Sequence, residues 1–320
     1  MVATNQPAAL SNLVTQTTGI SVTAISTNDP VQQELSKLEN DDDAAAAEVD
    51  GWIRENDQFK AKGAGIPDAE LNRRIRARFD ICKKAYEDFI KRHPQYAQAR
   101  IAYASLLHDL GEEDAESDQL LKARDIDPTI PSVWNNLGNY YGEFGPMTNA
   151  FKCYEKAIQL DPTEPVYYHN FGDTVFLYRK DVREYYHINE QQVFDKAVGL
   201  YREAMKLDPT NFSLATDVAT TYYGIRPFRT NDAFVCWTNA LKLANDEIQR
   251  EYVYVHLARI NIKVDRLAEA QHFLDEVTNS SYGDLKRRLQ RNLNEEKATN
   301  SAAAKAAVKA VRSNSPAAGP

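Results

Sequence analysis

Cysteine is scarce in this chain: three residues in 320, with Cys82, Cys153 and Cys236 far apart and without a CxxC spacing. Isolated thiols in odd number build neither a disulfide frame nor a thiolate metal site, and they fit reduced thiols in a cytoplasm. Glycine and proline are sparse as well, 13 of each, and almost no segment alternates apolar with polar residues at period two. Both absences argue against strands and for an all-α chain. No apolar run approaches the roughly 20 residues of a membrane helix, and residues 1–26 lack the basic and apolar regions of an export signal. The expectation is a soluble, non-exported, cytoplasmic protein without membrane contact. Positive charge is also short. The net charge is -8 and the mean hydropathy -0.56, so no broad basic face is available to nucleic acid. No GxxxxGK[ST] loop, GxGxxG after a strand, HExxH or GxSxG elbow occurs, and the six histidines are scattered. No catalytic, cofactor-binding or metal-binding residue is expected, and the chain does not read as an enzyme.

What is present is a period. The segments KRHP, DIDP, QLDP and KLDP end at Pro94, Pro128, Pro162 and Pro209, with spacings of 34, 34 and 47. Eight and twelve residues before these prolines stand Tyr86 and Cys82, Leu120 and Glu116, Tyr154 and Ala150, Tyr201 and Ala197. Two further copies, with Ala233 and Trp237 and with Ala270 and Leu274, lack the proline. A small residue followed four later by a large one lies on one helical face, where the large side chain fills a notch beside a neighbouring helix. Short turns such as HDLGEED and YGEFGP separate each of these helices from an apolar-periodic partner, so the unit is a helix hairpin.

The stretch 131–164 resembles the tetratricopeptide repeat, whose eight signature places are filled in turn by Trp134, Leu137, Gly138, Tyr141, Ala150, Tyr154, Ala157 and Pro162. Tyr154 stands for the usual Phe. Residues 165–211 keep Tyr168, Phe171, Gly172, Ala197, Tyr201, Ala204 and Pro209, with Val175 at the second Tyr place. Residues 97–130 carry Arg100 and Glu116 where Trp and Ala are usual, which predicts imperfect packing; copies at 212–247 and 251–284 are looser. The resemblance implies an all-α, right-handed superhelical solenoid of antiparallel helix hairpins with helical caps, each hairpin covering the apolar face of the last.

The expected organisation follows. Residues 1–29 read as a disordered segment, 30–62 as an N-terminal helical segment, 63–284 as the repeat array, 285–297 as a capping helix and 298–320 as an Ala-rich disordered tail. A helix is expected from Asp41, with the DDD triplet at its start and Val49, Trp52, Ile53 and Phe59 as its apolar stripe. Another runs from Pro67 to His93 with Leu71, Ile75, Phe79, Cys82 and Tyr86 on one face. The extra residues of 165–211 lie in LYRKDVREYYHINEQQVFDKA. Asn189 and Gln192 predict a cap just before Glu190, and RKDVREYY prolongs the preceding helix. The hairpin then either projects with Tyr178, Tyr185, Tyr186 and His187 as a contact tip or folds back onto its neighbour.

In the tetratricopeptide family the first helix of each hairpin lines the binding groove. Carried over by position, the groove residues are Asn135, Asn136 and Asn139, then His169, Asn170 and Asp173, then Thr216, Asp217 and Thr220, then His256 and Arg259. Asn136 and Asn170 should stand one above the other, and they resemble the asparagine ladder in the superhelix of O-linked N-acetylglucosamine transferases. An amide offers both a donor and an acceptor to the backbone of an extended peptide. The other reading is that these amides bond within the array or to water. A carboxylate clamp is not matched, since Ser213 and Asp217 occupy its cationic places. With Asp173 and Asp217 in the groove, the expected ligand is a polar or basic peptide segment of another protein. A scaffold without catalysis leads; a substrate-targeting or adaptor subunit of a separate enzyme and a self-associating structural protein are the other readings.

Overall fold

The structure is a computed structural model that describes residues 29–313, so the expectations for residues 1–28 and 314–320 lie outside the described residues. Fourteen α-helices and no strand occur among those described. The chain divides between Leu207 and Asp208 into two units, each taken by itself.

The first unit begins with α1 (Pro30–Lys60) and α2 (Asp68–Arg92). Helix α1 starts eleven residues before the expected Asp41. Pro30 occupies its first turn and the Asp29 side chain accepts from the Val31 amide at 2.9 Å, a sound N-cap. Leu35 and Ala45 on either side of the DDD triplet are both buried with Cys82, Tyr86 and Phe89 of α2, so the helix runs through the acids rather than from them. The expected stripe is corrected too: Val49 is buried, whereas Ile53 and Phe59 face solvent and Trp52 is covered by the Arg74 guanidinium 3.7 Å above its ring. On α2, Leu71, Cys82 and Tyr86 are buried on one face.

Three hairpins follow: α3 (Ala97–Asp109) with α4 (Glu113–Ile126), α5 (Pro131–Phe144) with α6 (Met147–Leu160), and α7 (Pro165–Leu177) with α9 (Glu190–Leu207). Their interiors repeat the same contact. A Cβ on Gly138 would sit 2.7 Å from Tyr154 Cε1, and one on Gly172 would sit 2.7 Å from Tyr201 Cε1. Only a bare Cα admits the ring. In the earlier hairpin Ala104 and Leu120 take these places, both buried, with a larger notch residue matched to a smaller filler. Successive hairpins then join through rings such as Tyr154 and Phe171, stacked at 5.4 Å and 19°.

A second contact recurs at the turns. Trp134 Nε1 donates to the Pro128 carbonyl at 2.8 Å, and the Tyr168 hydroxyl donates to the Pro162 carbonyl at 3.1 Å. Arg100, the departure from the repeat pattern, donates to the Pro94 carbonyl at 3.3 Å and to Gln119 Oε1 at 2.9 Å. Three different side chains tie the start of each hairpin to the preceding proline turn. At Arg100 a long donor reaches the equivalent acceptor, and the imperfection shows instead at its Nε, which is buried without a hydrogen-bond partner.

The insertion bends where a continuous helix was expected. Tyr178 (φ -103, ψ 46) ends α7, and RKDVREYY forms a separate α8 (Arg179–Tyr186) closed by His187 in the left-handed region at φ 55. Asn189 and Gln192 make the expected reciprocal cap on α9, with Asn189 N to Gln192 Oε1 at 2.9 Å and Gln192 N to Asn189 Oδ1 at 3.1 Å.

The second unit holds α10 (Phe212–Thr221), α11 (Thr230–Leu243), α12 (Glu247–Lys263), α13 (Leu267–Asp275) and α14 (Gly283–Ser313). Trp237, with Ala233 and Ala240, is completely buried in α11. Glu251 of α12 is buried and ties down the turn after α13: it accepts from Thr278 N at 3.0 Å, Asn279 N at 2.7 Å and Thr278 Oγ1 at 2.7 Å. Burial works to raise this carboxyl, but the three donors and Lys286 outweigh it and hold its pKa below the ordinary value. Leu289 and Leu293 of α14 pack on Val255, Ala258, Ala270 and Leu274. The helix does not stop at residue 297. It continues through the Ala-rich stretch to Ser313, favoured by alanine propensity and fastened by Lys297 to Gln271 at 3.0 Å and Asn300 to Asp265 at 2.5 Å.

Candidate functional site

In the first unit the expected amides do come together, by a different route. Asn135 is fully buried, donates to Asn136 Oδ1 at 3.1 Å and accepts from Asn170 Nδ2 at 3.1 Å. The link between successive hairpins thus runs through Asn135, whose burial leaves it to position Asn136 and Asn170. Asn139 is held from behind by the Tyr154 hydroxyl at 2.8 Å, and Asp173 by the Tyr201 hydroxyl at 2.6 Å. The same tyrosines that fill the glycine notches therefore orient the polar lining. His169 Nε2 lies 3.5 Å from Asp173 Oδ2.

Asn136, Asn139 and Asn170 open into one cleft of about 190 Å³, shared with Ser105, His108, Asp109 and Glu116. Glu116 is buried at the place the repeat reserves for alanine, and His108 Nδ1 lies 3.2 Å from its Oε2. That hydrogen bond, against the opposing pull of burial, raises the His108 imidazole to about 9, so it is a cation at neutral pH. Asp109 is raised by burial, an effect offset in part by His108. The cleft combines amide donors and acceptors with an ion pair and one further carboxyl.

The second unit treats its candidates unequally. Thr216 is buried and donates to the Ser213 carbonyl at 2.8 Å. His256 is stacked on Trp237 at 4.0 Å and 5°, with Nδ1 3.1 Å from the Tyr223 hydroxyl. Burial, aided by Arg259, lowers its pKa to about 4 and keeps the ring neutral. These two belong to the interior rather than to a groove. Asp217, Thr220 and Arg259 are exposed.

The aromatic tip does not project. Tyr185 and Tyr186 lean on Phe151 of α6 with ring centroids at 5.3 and 5.7 Å, and the Tyr186 hydroxyl donates to Glu155 at 2.6 Å. Lys196 lies 4.1 Å above the Tyr186 ring, and Val182 is buried beneath α8. Tyr178 is half-buried at the helix junction, which leaves His187 exposed. The break at Tyr178 turns α8 back onto the neighbouring hairpin, where two rings find apolar cover.

The tetratricopeptide-repeat family profile matches residues 131–164, the hairpin that contains Gly138, Tyr154 and the Asn135–Asn136 pair. This hairpin is a tetratricopeptide repeat. A TPR repeat-containing protein of Methanocaldococcus jannaschii is 26% identical over 137 residues, 43% of this chain and 21% of its own length. Human tetratricopeptide repeat protein 7B is 26% identical over 91 residues, 28% of this chain and 11% of its own. The chain thus spans about a fifth or less of these curated relatives. Among solved structures, Pseudomonas aeruginosa pilF has a TM-score of 0.50 at 16% identity, covering 81% of this chain and 99% of its own. PilW, a widely conserved type IV pilus biogenesis factor, has a TM-score of 0.51 at 14% identity, covering 76% and 98%. At these identities the likeness is one of fold.

A tetratricopeptide-repeat fold supports protein–protein interaction. His108, Asp109 and Glu116 are not among the expected groove residues, all of which lie in the repeats from residue 131 onward. The one available signal was Glu116 itself: a charge at a place that packing reserves for a small residue needs a partner nearby. Among the described residues, no helix is long and apolar enough to cross a membrane.

Proposed function

We propose that this protein is a non-catalytic scaffold that binds an extended peptide segment, polar or basic, of another protein on the inner helices of its first unit. The observation that carries this reading is the convergence of Asn136, Asn139 and Asn170, from two successive hairpins, on a cleft that also holds Asp109 and the Glu116 carboxylate. Amides satisfy the peptide backbone whatever its sequence, and with Glu116 paired to His108 it is the Asp109 carboxyl that favours a cationic side chain. Asn135 and the hydroxyls of Tyr154 and Tyr201 hold the lining in place before the ligand arrives, which lowers the entropy cost of binding.

The test is a titration of the full chain with a lysine-rich peptide, alongside the variant Asn136→Ala, Asn170→Ala. We expect the double variant to keep its helicity and lose about tenfold or more in affinity, the loss of two buried backbone contacts. Equal affinity for the two proteins would remove the cleft from consideration.

A further inference from the structure

Three cations meet on one face of the second unit. Arg259 and Lys263 stand one helical turn apart on α12, Arg226 comes from the segment that joins α10 to α11, and all three are exposed. The Arg259 guanidinium lies 4.3 Å above the Tyr223 ring and the Lys263 ammonium 4.1 Å above the Phe228 ring. These two rings are parallel within 5° at 6.3 Å. Tyr223 is pinned by its hydroxyl, 3.1 Å from His256 Nδ1, and Arg226 donates to the Tyr223 and Ile225 carbonyls at 2.8 Å. The platform is thus built from behind, with aromatic faces holding cations that repel one another.

The Lys263 ammonium is held below its ordinary range by burial first, and then by Arg226 and Arg259. Among the described residues, neither Arg259 nor Lys263 makes an ion pair with a carboxylate. Ring faces orient a cation without neutralising it, so an arriving anion meets fixed and uncompensated charge.

We propose that this face docks an acidic peptide segment of a partner protein, with Asp or Glu carboxylates bridging Arg259 and Lys263 and a further contact to Arg226. The spacing favours a peptide over a single compact anion. Four residues of helix advance about 6 Å, and alternate side chains of an extended chain are about 7 Å apart. Two carboxylates at positions i and i+2 therefore match the pair, and the guanidinium fork donates to one of them in its plane. The proposal concerns the second unit and does not depend on the cleft in the first.

The test uses the full chain and a fluorescein-labelled peptide of repeating Glu-Ser, read by anisotropy at low salt. Wild type should bind, and Arg259→Gln, Lys263→Gln should weaken binding about tenfold or more. The variant R288Q/R291Q removes the same two charges from exposed places on α14 and should change affinity less than about twofold. In the Asn136→Ala, Asn170→Ala background, which removes the first-unit site proposed for basic peptides, adding R259E/K263E should turn preference from the Glu-Ser to a Lys-Ser peptide, which shows the surface intact after substitution. Absence of binding by wild type, equal losses in the two glutamine variants, or binding of a phosphoserine peptide without the Glu-Ser one would each overturn the proposal.

Discussion

Tyr154 lies against the bare Cα of Gly138, and its hydroxyl, 2.8 Å from the Asn139 oxygen, passes that packing directly to the lining of the cleft. Stability and ligand recognition in this hairpin share one side chain. Gly138→Ala should therefore destabilise the first unit by about 1–3 kcal/mol, since the buried and stacked ring has no room to yield. Gly199→Ala is the control: its Cβ meets nothing within 4 Å in the middle of α9, and it should add about 0.5–1 kcal/mol. Urea denaturation of both variants against wild type measures the difference in sign.

The ion pair of His108 and Glu116 should respond asymmetrically to truncation. His108→Ala leaves a buried carboxylate without its partner and should cost about 3 kcal/mol. Glu116→Ala restores the small residue usual at that place and leaves His108 with access to water, so its cost should stay under about 1 kcal/mol. Thermal melts of the two variants check the order, and NMR titration should show the imidazole falling from about 9 toward its ordinary value in Glu116→Ala.

Acid should tighten α1 against its neighbours. Glu39 and Asp42 are both raised to about 7, each by burial first and then by nearby carboxylates. A carboxyl whose folded pKa exceeds its unfolded one favours the folded state while protonated. Its contribution is complete below about pH 4 and is lost as pH rises through 7. Hydrogen exchange in α1, corrected for its intrinsic pH dependence, should show several-fold greater protection at pH 5.5 than at pH 8. Asp42→Asn with Glu39→Gln should flatten that dependence.

Glu251 predicts the opposite trend in the second unit. Its pKa is lowered by its donors, so its contribution is present above the ordinary carboxylate range and lost as pH falls through the folded value. Glu251→Ala strands two backbone N–H groups and should cost about 2–4 kcal/mol, with Glu251→Gln intermediate. Chemical denaturation of the variants, read by the fluorescence of buried Trp237, measures it.

The hairpins were legible wherever a local rule governs. Proline spacing marks the turns, the small-to-large pairs mark the second helices, and Asn189 with Gln192 marks a helix start, because each depends on residues a few positions apart. Other features turned on partners distant in sequence. The start of α1 depends on a core shared with α2, and the turn at Tyr178 depends on Phe151 offering cover to Tyr185 and Tyr186. His256 reads as a groove residue by position, yet Trp237 and Tyr223 enclose it.

By itself the sequence determined that this protein is a chain of helix hairpins with tetratricopeptide character, because apolar period, notch residues and caps act within a turn or two of helix. Tertiary structure alone decided which polar side chains are offered to a partner. Asn135 is withdrawn to orient Asn136 and Asn170, Glu116 is matched by His108, and Arg259 and Lys263 are set on the rings of Tyr223 and Phe228. Each of these outcomes rests on whether water or another side chain satisfies a polar group, and that is settled only when distant helices meet.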